Sequence, residues 1–303
     1  MFGPDPKTAL LLANPHARQV QQKLPKALLQ LQILGLEIIQ ESVQDPDEFP
    51  PLIRSYRDRV DLIIVGGGDG TLNRVVEGLV GTDLPLGILP LGTANDLART
   101  LGIPLSLPEA CQTIAVGHRH RIDLGWVNGK HFFNVASLGL SVNITRKLTR
   151  DAKRRWGIFA DLITAVNVIL TRRPFKAEIG FEGRWKRVKT LQIAIGNGRF
   201  YGGGMRIAHD ATIDDRRLDL YSLEIQHWWQ IFTVLLALWT GRHRRDLGTR
   251  TLSGTEFEVV TAKPYPINTD GEITAHTPAR FRVIPKAIEV IVPRKKESTR
   301  KKR

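Results

Sequence analysis

The sequence predicts a two-domain α/β protein, with a first domain on a parallel sheet covered by helices and a mainly antiparallel second domain. Three observations carry that prediction. Up to Ile122, short apolar runs alternate with segments of helical periodicity, as in a parallel sheet whose crossovers are helices. A glycine-rich stretch, Gly66-Gly67-Gly68-Asp69-Gly70, interrupts one strand–helix junction in that region. Beyond Ile122 the texture changes to hairpin-like strands.

Thr8 to Ala13 is an apolar run that stops at Asn14-Pro15, a buried strand followed by a turn. Gln19 to Leu34 carries leucines at helical spacing and ends at Gly35. Leu36 to Glu41 reads as a second strand and Asp45 to Arg59 as a helix. Leu62 to Val65 is a strand that breaks into the glycines; Thr71 to Leu79 is then a helix, Leu86 to Leu89 a strand and Ala94 to Leu101 a helix. In the second half, Asp123 to Val127 and His131 to Ala136 flank Asn128-Gly129, a hairpin turn signal. Further strands are expected at Phe175 to Phe181, Lys186 to Ile195, Leu218 to Leu223 and Thr255 to Val260. Helices near Trp156–Leu170 and Trp228–Trp239 interrupt them. Ala287 to Val292 closes the chain as a strand able to pack on either domain. From Arg294 onward seven basic residues face Glu297 alone, so 294–303 reads as a disordered tail. The expected domains are therefore 1–122 and 123–293.

A chain of 303 residues, 42% of them hydrophobic, is long and apolar enough for two cores. Its one cysteine, Cys111, excludes an internal disulfide framework and any multi-cysteine metal site, and reads as a small buried residue. Lys and Arg number 44 against 30 acids, and the resulting +14 attracts something anionic: nucleic acid, a phosphorylated substrate or an anionic membrane. No targeting or spanning segment is visible. Ile225 to Gly241 is the longest uncharged stretch, but it contains Gln226, His227 and Gln230 and falls short of the roughly 20 apolar residues of a spanning helix. The chain reads as soluble.

Gly66 to Thr71 lies between a buried strand and a helix. Glycines there let the backbone approach a phosphate and adopt positive φ, and successive N–H groups at a helix start form an anion-binding concavity. Asp69 adds a carboxylate that can meet a phosphate-bound metal. No Lys-Ser/Thr follows, so this is not a Walker A loop, and the spacing is not that of a dinucleotide fingerprint. A second loop, Pro90-Leu91-Gly92-Thr93-Ala94-Asn95-Asp96-Leu97-Ala98-Arg99, follows the next strand, and loops at the carboxyl ends of neighbouring parallel strands share one crevice. Thr93 supplies a hydroxyl there, or simply caps the helix.

Together these two loops resemble the diacylglycerol kinase catalytic-domain family and, within it, the bacterial YegS-like lipid kinases. The likeness runs through Asp270 and leaves out only the tail. It implies an N-terminal Rossmann-like nucleotide-binding domain with a parallel sheet and a C-terminal, mainly antiparallel β-sandwich domain. It also implies ATP and Mg²⁺ as cofactors and a lipid as substrate. The residues implied to hold ATP are Asn14, Pro15, Ser42, Gly66, Gly67, Gly68, Asp69, Gly70, Thr71, Leu72, Thr93 and Asn95. The family's Asn-Pro-x-Ser-Gly is here Asn14-Pro15-His16-Ala17-Arg18, which loses the Ser-Gly half and offers the charged donor of Arg18 instead.

The segment from Ala208 to Leu218 resembles the family's structural magnesium loop, which implies the Asp215 carboxylate and the carbonyls of Thr212 and Arg217 as ligands. Arg216 stands where the family usually has glycine. Asp270-Gly271-Glu272 resembles the motif carrying the catalytic carboxylate. A lipid hydroxyl is a poor nucleophile, and a placed carboxylate can accept its proton as the γ-phosphate transfers. Glu272 is the first choice for that base and Asp270 the alternative; taken alone, the tripeptide is a turn signal.

Basic clusters at Arg146–Arg150, Lys153–Arg155 and Arg242–Arg245 flank the two apolar helices of the second half. They suit peripheral contact with an anionic membrane from the cytoplasmic side, or a solvated basic surface beside core helices. His209 and His227 read as structural. Three other functions compete: an NAD kinase sharing the Gly-Gly-Asp-Gly-Thr core, a nucleic-acid-binding module, and a non-catalytic nucleotide- or lipid-binding protein. The Gly-Thr-Ala-Asn-Asp segment favours a lipid kinase over the first, and no nucleic-acid motif supports the second. The acceptor lipid and the oligomeric state are left open.

Overall fold

The computed structural model describes residues 7–14, 17–41, 43, 45–139, 174–198, 200–201, 205–206, 212–224 and 249–294. Two compact units divide the chain, Met1–Ile122 with Ala287–Arg303, and Asp123–Lys286. The first contains β1 (Lys7–Ala13), α1 (Arg18–Ile33), β2 (Leu36–Gln40), α2 (Phe49–Ser55), β3 (Leu62–Gly67), α3 (Asp69–Leu79), β4 (Leu86–Pro90), α4 (Asp96–Thr100) and α5 (Leu107–Val116). β5 (His118–Val127) starts in it and ends in the second unit. The second unit continues with β6 (Lys130–Phe132), β7 (Val135–Gly139), β8 (Phe175–Phe181), β9 (Arg184–Thr190) and β10 (Gln192–Gly196). Then come β11 (Phe200–Tyr201), β12 (Met205–Arg206), β13 (Leu218–Leu223), β14 (Thr249–Gly254), β15 (Glu256–Thr261), β16 (Pro266–Thr269) and β17 (Glu272–His276). The last strand, β18 (Ala279–Val292), begins in the second unit and finishes in the first.

In the first unit the strands lie in the order β2-β1-β3-β4, followed by the end of β18, and every pairing is parallel. This is the predicted parallel sheet. Strands buried on both faces must be apolar throughout, and Leu62–Gly67 and Leu86–Pro90 are buried at every position. One face packs Leu11, Leu62 and Ile64 under α1 and α5 through Val20, Ala27, Leu31, Cys111 and Ile114. Leu10, Leu12, Ile63 and Val65 alternate with these, face away and are equally buried, so the second face is covered too. α3 lies tightly against α2, since a Cβ on Gly78 would come within 2.7 Å of Pro50 Cα.

The second unit is the predicted antiparallel sandwich. One sheet runs β18-β15-β8-β9 and the other β14-β13-β10-β7-β16-β17, with antiparallel pairing throughout. Ile179, Phe257, Val259 and Phe281 from the first meet Leu138, Ile193, Ile195, Leu220 and Ile267 from the second in one core.

Three elements differ from the sequence pattern. The expected helix over Asp45–Arg59 is α-helical only from Phe49 to Ser55, after a short 3₁₀ turn at Pro46–Glu48. Pro50 and Pro51 are tolerated only in a first turn, which fixes where the helix begins. The run Lys186–Ile195 is two strands because the chain passes from one sheet to the other at Leu191. The run His131–Ala136 breaks at Phe133-Asn134, where a carboxylate captures the backbone. The helices expected at 156–170 and 228–239, with their basic clusters, His209 and the tail from 295, lie outside the described residues. No helix among the described residues is long and apolar enough to cross a membrane.

Cys111 is fully buried in α5, and burial pushes its thiol up to about 11. It is therefore expected to resist iodoacetamide at pH 8 in the folded protein and to alkylate rapidly in denaturant, as read by intact mass.

Candidate active site

β3 and β4 are neighbours in register, with Gly66 opposite Leu89 and Gly67 opposite Pro90. The two loops therefore leave the carboxyl edge of the sheet side by side. Main chain locks them together. The Leu91 N–H donates to the Gly67 carbonyl at 2.9 Å. A Cβ on Gly92 would sit 2.4 Å from Gly68 Cα, so the two backbones touch. Asp69 closes the joint: its carboxylate accepts the N–H groups of Asp96 and Leu97 at 3.1 Å each. Those are the first amides of α4, whose own N-cap, Asn95, sits at φ 51 and makes no side-chain cap. The Asn95 side chain instead closes the turn onto Gly92, accepting its N–H at 2.9 Å and donating to its carbonyl at 3.0 Å.

Several sequence readings change here. Gly66, Gly67, Gly68 and Gly70 do not use positive φ. The loop needs room, since a Cβ on Gly67 would lie 2.5 Å from Thr71 Oγ1. α3 begins at Asp69 and not at Thr71; Thr71 and Leu72 donate to the Gly68 carbonyl, and the amides before them precede the first helical bond. Thr93 is exposed and caps nothing, because Asn95 and Asp69 occupy that position. Asp69, read as a partner for a phosphate-bound metal, gives both oxygens to α4.

Asn14 follows β1, and its carbonyl accepts the Ala17 N–H at 3.2 Å. Arg18 opens α1 and is exposed. Pro15 and Ser42 lie outside the described residues. Beside the carboxyl end of β2, Glu41, Val43, Glu48, Pro51, Leu52 and Ser55 line a cavity of about 370 Å³. The Tyr56 hydroxyl donates to Glu41 and holds that carboxylate in place.

In the second unit, Asp270 at φ 47 and Gly271 at φ 104 form the two-residue turn between β16 and β17, both in the left-handed region of a type I′ hairpin. Asp270 does more than turn the chain. Its carboxylate accepts the N–H groups of Phe133 at 2.7 Å and of Asn134 and Val135 at 3.0 Å each. That capture breaks the strand expected over His131–Ala136. Glu272 is half-buried at the start of β17, paired with Thr269.

Sequence reasoning missed three asparagines around this hairpin. Asn197 donates to the carbonyls of Asp123 at 3.0 Å and Phe133 at 2.8 Å. Asn268 accepts the Gly271 N–H at 2.9 Å. Asn134, Asn197 and Asn268 are each 3% exposed, yet Asn134 Oδ1, Asn197 Oδ1 and Asn268 Nδ2 have no hydrogen-bond partner among the described residues. The only signal was a polar residue at the end of each buried run. Asp123, also missed, is 1% exposed and accepts the N–H groups of Arg216 at 2.6 Å and Lys286 at 2.7 Å.

The 212–217 loop brings Thr212, Asp215 and Arg217 together, but not as a cation cage. Asp215 accepts the Thr212 N–H at 3.0 Å and the Arg217 N–H at 3.2 Å, and Arg217 Nε lies 3.2 Å from Asp215 Oδ2. The Thr212 carbonyl faces the Asp215 N–H at 3.4 Å. Burial raises the Asp215 pKa, against the pull of these donors. Magnesium wants acceptor oxygens at about 2.0–2.1 Å, and this carboxylate is surrounded by donors. The residues do not fit the ion. No cluster of three or more His, Cys, Asp or Glu among the described residues offers another site.

The parallel-sheet unit and the antiparallel sandwich unit are the two parts that known kinase-family domains match. Residues 8–127 match the diacylglycerol kinase catalytic domain, and residues 134–292 match the YegS C-terminal NAD kinase β-sandwich-like domain. The chain belongs to the diacylglycerol kinase and YegS-like lipid kinase family. It is 32% identical over 297 residues to a probable YegS-like lipid kinase of Klebsiella pneumoniae (strain 342), covering 95% of this chain and 96% of that one. It is 30% identical over 239 residues to a diacylglycerol kinase of Bacillus subtilis (strain 168), covering 78% and 79%. A crystal structure of a diacylglycerol kinase from Bacillus anthracis str. Sterne matches it with a TM-score of 0.77 at 25% identity, covering 95% and 97%.

The two hairpin acids are expected to separate in a stability measurement. Asp270→Ala strands three amides and should lose about 3 kcal/mol or more in urea unfolding. Glu272→Gln, which keeps the shape of the side chain and leaves those three amides bonded, should cost less than Asp270→Ala.

Proposed function

We propose that this chain transfers the γ-phosphoryl group of ATP to the hydroxyl of a lipid alcohol such as diacylglycerol. The observation that carries the proposal is the main-chain joint between Gly68 and Gly92. It brings the main chain of two glycine-bearing loops together at the start of a helix whose first amides lack helical acceptors. The triphosphate lies on Gly66–Leu72 and Gly92–Asn95, with the Thr93 hydroxyl beside it. β2 lies two strands from β3, about 10 Å at ordinary strand spacing, so the cavity by Glu41 and Leu52 suits the nucleoside end. Magnesium carried by the nucleotide would neutralise phosphate charge there.

Glu272 accepts the proton of the acceptor hydroxyl. Asp270 is the poorer choice because its oxygens hold three backbone amides. The unpartnered amide atoms of Asn134, Asn197 and Asn268 suit the oxygen functions of a lipid headgroup. The excess charge of +14 favours work at an anionic membrane surface from the cytoplasmic side.

Incubation of the full chain with ATP, Mg²⁺ and diacylglycerol in mixed micelles should yield a phosphorylated lipid by mass spectrometry. Glu272→Gln should lower kcat about 10²–10⁴-fold with ATP affinity unchanged. Gly92→Ala, by forcing the loops apart, should raise KM for ATP at least about tenfold, the effect of losing 1.4 kcal/mol of binding. Phosphorylation of NAD with no lipid product would overturn the assignment.

A further inference from the structure

We infer that the Arg217 side chain does in this protein what a bound divalent cation would do at the same turn, so that the 212–217 loop is braced without metal. The loop and the strand that follows it hold two acids close to one positive group. Arg217 Nε lies 3.2 Å from Asp215 Oδ2 and 3.7 Å from Asp219 Oδ2. Both carboxylates are largely withdrawn from water, with side chains 20% and 12% exposed, so their mutual repulsion needs a local cation. The guanidinium supplies it from within the chain.

The remaining contacts agree. Asp215 also takes two backbone N–H groups, and Asp219 accepts the Ser253 hydroxyl. An ion at about 2.1 Å from Asp215 Oδ2 would crowd the guanidinium already beside that oxygen. Arg216, at φ 59, keeps the left-handed turn that glycine would otherwise supply and passes its N–H to the buried carboxylate of Asp123 at 2.6 Å. Ion pairs thus link Asp219 through Arg217 to Asp215, and the neighbouring Arg216 N–H reaches Asp123.

The test uses the full chain without nucleotide. Wild type should show the same Tm in EDTA and in millimolar MgCl₂ and should bind no Mn²⁺ by electron paramagnetic resonance. Arg217→Met keeps the stem but not the charge; it should melt several degrees lower in EDTA, regain that loss in MgCl₂ and bind one Mn²⁺ per chain. Asp215→Asn in that background should abolish the uptake. Wild type that binds Mn²⁺ in a way Asp215→Asn removes, or that gains several degrees from MgCl₂, overturns the inference. So does an Arg217→Met protein as stable as wild type that takes up no metal. Should Arg217→Met not fold in EDTA, its recovery with MgCl₂ during refolding decides: rescue supports the replacement, and failure to rescue overturns it.

Discussion

Asp69 spans two loops that the sequence keeps apart. Its two oxygens take the first amides of α4, while its own backbone opens α3. Charge-assisted bonds of this kind are each stronger than a neutral pair, and here two of them act on one five-residue helix too short to persist alone. The Gly68–Gly92 contact follows from the same joint, since the loops can be held that close only where neither position carries a Cβ. Strand register brings the loops together, the glycines let them touch, and the carboxylate keeps them there.

The second unit uses carboxylates in the same way. Asp270 gathers the three amides of Phe133, Asn134 and Val135 that lead into β7, and Asp123 gathers those of Arg216 and Lys286. An acid spent on main chain positions a site and is withdrawn from the chemistry. Glu272, two residues from Asp270 and at the head of its own strand, is the acid proposed above for proton transfer.

Much of the first unit was legible because its signals are local. Apolar runs of strand length, leucines at helical spacing and the Gly66–Gly70 break give the β-α alternation and the position of the loops. The antiparallel second half was equally visible in Asn128-Gly129 and the alternating strands. What escaped was long-range. Asp270 takes amides from Phe133 to Val135, and no pattern near His131 announces that break. The positive φ expected of the loop glycines is not used, for the same reason: it is a local property, whereas the room that Gly68 makes for Gly92 belongs to a contact between loops. Asp215 illustrates the limit of motif matching. Its spacing resembles a cation loop, but the side chain of Arg217, two residues on, changes what surrounds the carboxylate.

The central claim is that the joined loops are the triphosphate cradle. Hydrogen–deuterium exchange of the full chain with and without Mg²⁺-ATP addresses it directly. The account predicts marked slowing of exchange at the amides of Gly68–Thr71 and of Gly92–Asn95 when nucleotide binds. Protection confined to other segments, with both loops unchanged at saturating nucleotide, would contradict it.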